Sequence, residues 1–219
     1  MMEFYLVPRW FFGFDIALEM LFAFITFFVA AYALYMYRIS AERDCKLLGF
    51  GFISIALSYV TWGILNFFLL TSLDNSNRVL VIENLNILGF FVLYGHIIFM
   101  LAGLATLAYL TFKTRSYRVY SLFVSLPIIM VIFSKNAALS FYFVSALLLF
   151  YITLHYMIKY SSRKRQTTLF VLIGFIFLLI GAVGFTFATL FNGSYVAGHM
   201  LQLLGYLFIL IGFIKTVRA

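Results

Sequence analysis

The stretch WFFGFDIALEMLFAFITFFVAAYALYMY, from Trp10 to Tyr37, indicates what kind of fold this chain adopts. It exceeds the ~20 apolar residues with which an α-helix crosses the ~30 Å hydrocarbon core of a bilayer. It nevertheless contains two carboxylates, Asp15 and Glu19. A charged group at the centre of a bilayer costs about 2.5 kcal/mol or more, so such side chains usually face the interior of a helix bundle. We therefore expect Asp15 and Glu19 to point away from lipid.

The whole chain has the composition of an integral membrane protein. Of its 219 residues, 65% are hydrophobic and 10% are charged, whereas about 25% of the residues in soluble domains are charged. Seven apolar stretches with short polar connections fill the sequence, which predicts a single all-α domain over residues 1–219. We expect a multi-pass protein of the cell membrane, in contact with the lipid bilayer. No segment remains for a soluble catalytic or nucleic-acid-binding domain, so we expect neither enzyme activity nor a nucleic-acid partner.

Seven transmembrane helices are predicted from the apolar stretches. The predicted spans are Trp10–Tyr37, Leu47–Leu70, Leu85–Phe112, Val119–Ser134, Ala137–Ile158, Thr168–Phe191 and Tyr195–Ile214. The fourth is bounded by Arg118 and Lys135 and contains Pro127. We expect this helix to be short and kinked, with its flanking cations reaching the bilayer surface.

The basic residues indicate the orientation of the bundle. Twelve Lys and Arg residues fall on one side of the predicted spans and three on the other. Short loops rich in Lys and Arg stay in the cytoplasm, so we expect the N-terminus outside and the C-terminus inside. The segment Met1–Arg9 lacks the basic region of a signal peptide, and we expect the first apolar stretch to be retained as a helix.

Spans three and seven share a pattern of residues. Gly95-His96 precedes Lys113 in span three, and Gly198-His199 precedes Lys215 in span seven. The interval from His to Lys is 17 residues in the first case and 16 in the second. The two spans therefore align with each other at their histidines.

Spans two and six align as well, with Gly49 matching Gly174. The pattern predicts two half-repeats, 10–113 and 137–216, joined by the short helix 119–134. An odd connecting helix gives both halves the same orientation, which is the architecture of sugar transporters of the SWEET type. Apolar sequence of low complexity also aligns with itself by chance, so the sequence leaves both explanations open.

Eight residues form the predicted binding site in the outer half of the bundle. They are Asp15, Glu19, Trp62, Asn66, His96, His199, Gln202 and Tyr206. Counted from the predicted span ends at 1.5 Å per residue, Glu19 lies about 14 Å deep, His96 about 15 Å and Asn66 about 6 Å. Spacings of three, four and seven residues place the members from each helix on one face. We expect a hydrated polar pocket for a small ligand, ion or proton, without a catalytic residue.

Other interpretations of the same residues remain. His96, His199 and Glu19 are an acceptable ligand set for Zn²⁺, although they lack the short spacing of a specific zinc motif. The two histidines would also suit a b-type haem, although their estimated depths differ by about 9 Å. Hydrogen bonds between helices, worth only about 0.6 kcal/mol each on average, explain the polar residues without any ligand. We expect no bound cofactor.

Four segments of the chain carry a family resemblance. They are Glu19 in the first span, Tyr37–Arg43, Leu48–Phe52 and His199–Tyr206. Together they resemble the seven-helix membrane input domains that precede signalling modules in prokaryotic, especially archaeal, sensor proteins. The resemblance implies that the membrane domain perceives a signal and that a cytoplasmic module reports it.

The chain ends at Ala219, just after the last span, so we expect a cytoplasmic or membrane signalling partner to carry the output. Transport of a small solute or ion is the second hypothesis. A transporter needs a polar path to the cytoplasm, but uncharged residues such as Ser54, Ser58, Thr26 and Thr106 are the main polar groups below the pocket. This pattern favours binding over passage.

Overall fold

The computed structural model describes residues 11, 13–72, 87–112, 114, 116–187 and 192–218. All regular structure in these ranges is helical, as predicted. The seven helices are α1 (Phe14–Ser40), α2 (Arg43–Ser72), α3 (Ile87–Tyr109), α4 (Tyr117–Ile132), α5 (Ala137–Arg163), α6 (Gln166–Thr186) and α7 (Asn192–Arg218). The predicted span limits at Trp10, Leu85 and Phe191 lie outside the described residues.

Six of the helices, all except α4, are long and apolar enough to cross a membrane. Helix α4 has 16 residues and contains Pro127, so it is the short element that the sequence predicts. Several helices continue past their apolar spans, with α1 reaching Ser40, α5 Arg163 and α7 Arg218. Backbone hydrogen bonding does not stop where the side chains become polar, so these three helices end three to five residues after the predicted spans.

The six long helices pack in a closed ring, which we call the six-helix ring. Around it the order is α1, α2, α3, α5, α6, α7 and back to α1. Helix α4 packs against α3 and α5. Helices α1 and α7 run in the same direction, because Phe11 contacts Tyr195 and Phe22 contacts Tyr206. Helices α3 and α5 are also parallel, because His96 lies near Phe141 and Phe112, just after α3, stacks on Tyr151.

The six-helix ring is apolar on its outer surface and in its interior. The outer side chains are exposed, whereas the inner ones form the buried core. Large exposed side chains cover the outer surface and include Phe24, Phe28, Phe91, Phe143, Phe150 and, on α4, Leu122 and Leu126. The buried core consists of Phe22, Val29, Phe52, Leu101, Ile152 and Ile209, among others. An exposed apolar surface of this extent is suited to contact with lipid chains and identifies an integral membrane protein.

Two pairs of antiparallel helices cross at glycines. Gly51 of α2 meets Gly103 of α3, and Gly174 of α6 meets Gly205 of α7. A Cβ atom at Gly103 or Gly174 would lie 2.7 Å from the carbonyl oxygen of the facing glycine. The residue four positions after each glycine covers the partner glycine; these residues are Ile55, Leu107, Leu178 and Ile209. Small residues at a crossing let the backbones approach closely, which is how helices associate strongly in membranes.

Substituting Gly103 with alanine should destabilise the protein. The new Cβ would meet Ile55 Cγ1 at 2.6 Å as well as the Gly51 carbonyl oxygen, so the backbone has to shift. Overpacking of this kind costs about 1–3 kcal/mol. We expect Gly103→Ala to lower the midpoint of thermal unfolding in detergent micelles.

The matched control lies in the same helix. A Cβ at Gly95 meets nothing within 4 Å, and alanine is favoured over glycine in a helix by about 1 kcal/mol. Gly95→Ala should therefore leave the unfolding midpoint unchanged or raise it. Equal midpoints for the two variants would show that the α2–α3 crossing is not as close as described.

Candidate functional site

Glu19 joins α1 to α2 inside the ring. Its side chain is 1% exposed, and the Asn66 amide nitrogen lies 3.0 Å from each of its two carboxyl oxygens. The indole N–H of Trp62 is directed at the same carboxyl group. Trp62 and Asn66 stand four residues apart, so both come from one face of α2. Glu19 thus faces the interior of the bundle, as its sequence context predicts.

The hydrogen bond between Asn66 and Glu19 corrects the depths estimated from the sequence. The estimates of about 14 Å for Glu19 and about 6 Å for Asn66 are wrong as a pair, because the two side chains are hydrogen-bonded. Helix α1 begins at Phe14, four residues after the predicted start of the span. At 1.5 Å per residue this moves Glu19 about 6 Å closer to the helix start and brings it level with Asn66.

His96 joins α3 to α2 through Ser58. The Ser58 hydroxyl donates to the His96 carbonyl oxygen at 2.8 Å. His96 Nδ1 lies 2.8 Å from Ser58 Oγ and 3.0 Å from the Ser58 carbonyl oxygen. A carbonyl only accepts, so Nδ1 carries the hydrogen and Nε2 is the basic nitrogen of the neutral ring. The Trp62 ring covers this imidazole, with 4.7 Å between centroids.

His199 of α7 lies in an aromatic box formed by four rings. The centroids of Phe11, Phe22, Phe185 and Tyr195 are 5.7, 6.1, 5.0 and 4.6 Å from its own. Its Nδ1 donates to the carbonyl oxygen of Tyr195, one turn earlier in the helix, at 3.1 Å. Nε2 is therefore the basic nitrogen of this histidine too.

Tyr59 and Tyr206 connect α2 with α7 across the ring. Their hydroxyl oxygens are 2.8 Å apart, and both side chains are buried. Phe22 packs against both phenol rings. A hydrogen bond between helices that are not neighbours in the ring shows that polar groups from separate helices converge in its interior.

These groups surround a cavity of about 60 Å³, which we call the central cavity. All six helices of the ring contribute to its wall. Six of the eight predicted site residues line it: Glu19, Trp62, His96, His199, Gln202 and Tyr206. A buried water needs roughly 10–15 Å³ of such space, so the cavity is suited to a few waters or a solute of similar size.

The other two predicted residues are not part of the cavity wall. Asn66 lies behind Glu19 and holds its carboxyl group. Asp15 stays at the start of α1, where its Oδ1 accepts the N–H groups of Gly13 at 2.8 Å and Ile16 at 2.9 Å. The structure therefore places Asp15 as a residue that satisfies the first backbone amides of the helix.

Sequence reasoning missed Ser145 of α5. This residue is 5% exposed and lines the central cavity, and its hydroxyl has no hydrogen-bond partner among the described residues. No sequence signal distinguishes it from other serines in apolar helices. Tyr59 was also missed, and Ser58 was assigned to the region below the pocket. They precede Trp62 by three and four residues, so extending the Trp62–Asn66 face by one turn would have included both.

The metal and haem interpretations gain no geometric support. Among the described residues, no three His, Cys, Asp or Glu side chains lie close enough to hold a metal ion. His96 and His199 both line the central cavity, but a porphyrin is far larger than about 60 Å³. The donor set and the available space instead suit proton exchange and hydrogen bonding to a small polar group.

No family model, curated protein or solved structure matches the chain. The function is therefore inferred from the geometry of the central cavity and its surroundings.

Glu19→Ala should destabilise the protein, because it leaves the buried Asn66 amide without its acceptor. An unsatisfied buried group of this kind costs about 1–3 kcal/mol. Thermal unfolding in detergent micelles measures the loss. Glu19→Gln keeps the size of the side chain and one acceptor oxygen, so its midpoint should lie closer to that of the parent.

Glu42→Ala is the matched control. Glu42 is exposed in the connection between α1 and α2, where surface substitutions usually change stability by less than about 0.5 kcal/mol. If Glu19→Ala were no more destabilising than Glu42→Ala, the buried hydrogen bond would not be a structural feature of the protein.

Proposed function

We propose that this protein is a membrane sensor that binds a small polar species in the central cavity and signals through a partner protein. The observation that carries the proposal is the Ser145 hydroxyl, buried on the cavity wall without a protein partner. A buried hydroxyl group is normally hydrogen-bonded, so this one favours a polar occupant. Glu19 and His96 line the same cavity and supply an acid and a base to recognise it.

The size of the cavity narrows the class of ligand. About 60 Å³ accommodates water, a proton carried by water, a small inorganic ion or a solute of a few atoms. The wall offers one carboxyl group and two neutral imidazoles, each with Nε2 as its basic nitrogen. Protons or small ions are therefore the ligand class that the site favours over sugars or larger metabolites.

The connections between helices support the two half-repeats, each of three helices, that α4 joins. Ala41 after α1 and Lys164 after α5 both adopt the left-handed conformation, with φ of 54° and 45°. Each donates its N–H to the carbonyl of a tyrosine, Tyr37 or Tyr160, one turn earlier. In both cases the equivalent residues are 123 positions apart.

The glycine crossings follow the same offset. Gly51 and Gly174 are also 123 positions apart, which replaces the alignment of Gly49 with Gly174 made from the sequence. Gly103 and Gly205 are 102 apart, whereas aligning His96 with His199 implies 103. In uniformly apolar sequence, an alignment of the two halves that is shifted by one or two residues looks as good as the correct one. Contacts between the helix backbones distinguish the two alignments.

Residues on opposite sides of the central cavity are also related by these two offsets, 123 and 102 positions. The residues that pair between α1 or α2 and α5 or α6 are Glu19 with Tyr142, Phe52 with Phe175, Ile55 with Leu178, and Trp62 with Phe185; between α3 and α7 they are Met100 with Gln202 and Leu104 with Tyr206. We infer that two parallel halves enclose the site, with Glu19 and His96 on the first half and Ser145, His199 and Gln202 on the second.

The excess of Lys and Arg at one end of the ring supports a cytoplasmic location for that end. The carboxyl ends of α1, α5 and α7 lie there and would present the signal to a partner. This orientation places Glu19, Asn66 and the aromatic box in the outer half of the membrane. The resemblance to the input domains of sensor proteins agrees with this arrangement.

Transport is the second candidate, and a second cavity favours it. A space of about 350 Å³, which we call the basic-end vestibule, opens at the end of the ring that carries most Lys and Arg residues. Phe52, Leu107 and Phe175 line both this vestibule and the central cavity. One layer of apolar side chains therefore separates the two spaces, and its opening would create a path.

Trp62 provides a direct readout of ligand binding. The chain has two tryptophans, so Trp10→Phe leaves Trp62 as the only one, with its ring 4.7 Å from that of His96 between centroids. A protonated imidazole quenches indole fluorescence more strongly than a neutral one. In proteoliposomes scanned from about pH 4 to 9, or given Na⁺, K⁺ or NH₄⁺ salts, we expect the Trp62 emission to change, with quenching on the acid side.

His96→Gln in this background should abolish the acid quenching, and Ser145→Ala should alter the response to salts. His155→Gln is the matched control, since His155 lies in the basic-end vestibule and should leave the emission unaffected. An emission that no pH and no salt changes would contradict the proposal. Protein-dependent ion flux in the same sealed vesicles would favour transport, and a response without flux would favour sensing.

A further inference from the structure

The basic-end vestibule has the chemistry of an anion site. The ends of five helices enclose it, α2, α3, α5, α6 and α7. Its polar and charged lining residues are Asp44, Cys45, Thr111, His155, Tyr156, Lys159, Arg163, Arg165, Thr167, Thr168 and Thr216. Three of these are cations and one is a carboxylate, which leaves a net charge of +2 with His155 neutral.

The fold brings the three cations together. Lys159 and Arg163 are four residues apart in the last turns of α5 and share a helix face. The left-handed residue Lys164 then reverses the chain, so that Arg165 immediately precedes α6. The first turn of α6 adds Thr167 and Thr168 to the same wall.

Topology alone does not account for this convergence. Cytoplasmic retention requires Lys and Arg in the loops but not around a common space. Arg38 and Arg118 are exposed at the same end of the ring and do not line the vestibule. The cations that do line it are accompanied by the hydroxyl groups of Thr111, Thr167, Thr168 and Thr216.

We propose that the basic-end vestibule binds an oxyanion of the phosphate type. Guanidinium groups pair with phosphate oxygens through parallel hydrogen bonds, and an ammonium group and hydroxyls complete the recognition of a tetrahedral anion. A volume of about 350 Å³ holds the phosphate together with part of the group that carries it. The site is separate from the central cavity and does not depend on the function proposed for it.

Two sources present this chemistry at the membrane surface, a soluble phosphate compound and the headgroup of an anionic phospholipid. A soluble ligand is tested by thermal unfolding of the protein in neutral detergent micelles. Inorganic phosphate should raise the unfolding midpoint relative to chloride at equal ionic strength. Native mass spectrometry tests the second through retention of phosphatidylglycerol relative to phosphatidylcholine. A response to phosphate alone assigns a soluble ligand, retention of phosphatidylglycerol alone assigns a lipid headgroup, and both together assign a site for either.

Lys159→Gln, Arg163→Gln and Arg165→Gln should each reduce the response at least several-fold. All three side chains are exposed, so the variants should fold, and unfolding midpoints without added anion verify this. Arg118→Gln is the matched control and should behave as the parent. Absence of both responses in the parent, or an equal loss in Arg118→Gln, would overturn the proposal.

Discussion

A polar side chain inside hydrocarbon has no water to bond with, so it must find its partner within the protein. The interior of this molecule follows from that constraint. Helix α2 carries the partners on one stripe with about one residue per turn: Gly51, Ile55, Ser58, Tyr59, Trp62 and Asn66. From this stripe Asn66 binds Glu19 of α1, Ser58 binds His96 of α3, and Tyr59 binds Tyr206 of α7.

The constraint also explains why the site is small and mostly apolar. Aromatic rings around His199 border the central cavity, and Phe52, Leu107 and Phe175 separate it from the basic-end vestibule. Polar groups are confined to a space that holds a few waters, where they satisfy one another or a small occupant. Charged side chains line the vestibule instead, where the helices end; they are Asp44, Lys159, Arg163 and Arg165.

The sequence predicts the parts of the fold that depend on hydropathy. The apolar stretches predict seven transmembrane helices; six of the described helices are long and apolar enough to cross a membrane, and the fourth, with Pro127, is the short α4. It also identifies six residues of the cavity wall, because Glu, His and Trp at helical spacing in apolar helices usually face the bundle interior. It assigns Asp15 to the pocket, whereas in the structure this carboxylate accepts hydrogen bonds from backbone amides at the start of α1.

The sequence does not predict the properties that depend on the register between helices. Packing between helices sets the glycine crossings, the relative depth of Glu19 and Asn66, and the exposure of Ser145 to the central cavity. A uniformly apolar stretch of sequence does not encode such packing locally. The central claim, that polar groups of separate helices meet inside the ring, is tested most directly by a double-mutant cycle on Tyr59→Phe and Tyr206→Phe. Unfolding free energies should show a coupling of about 0.6–1.7 kcal/mol. Strict additivity of the two substitutions would contradict the account.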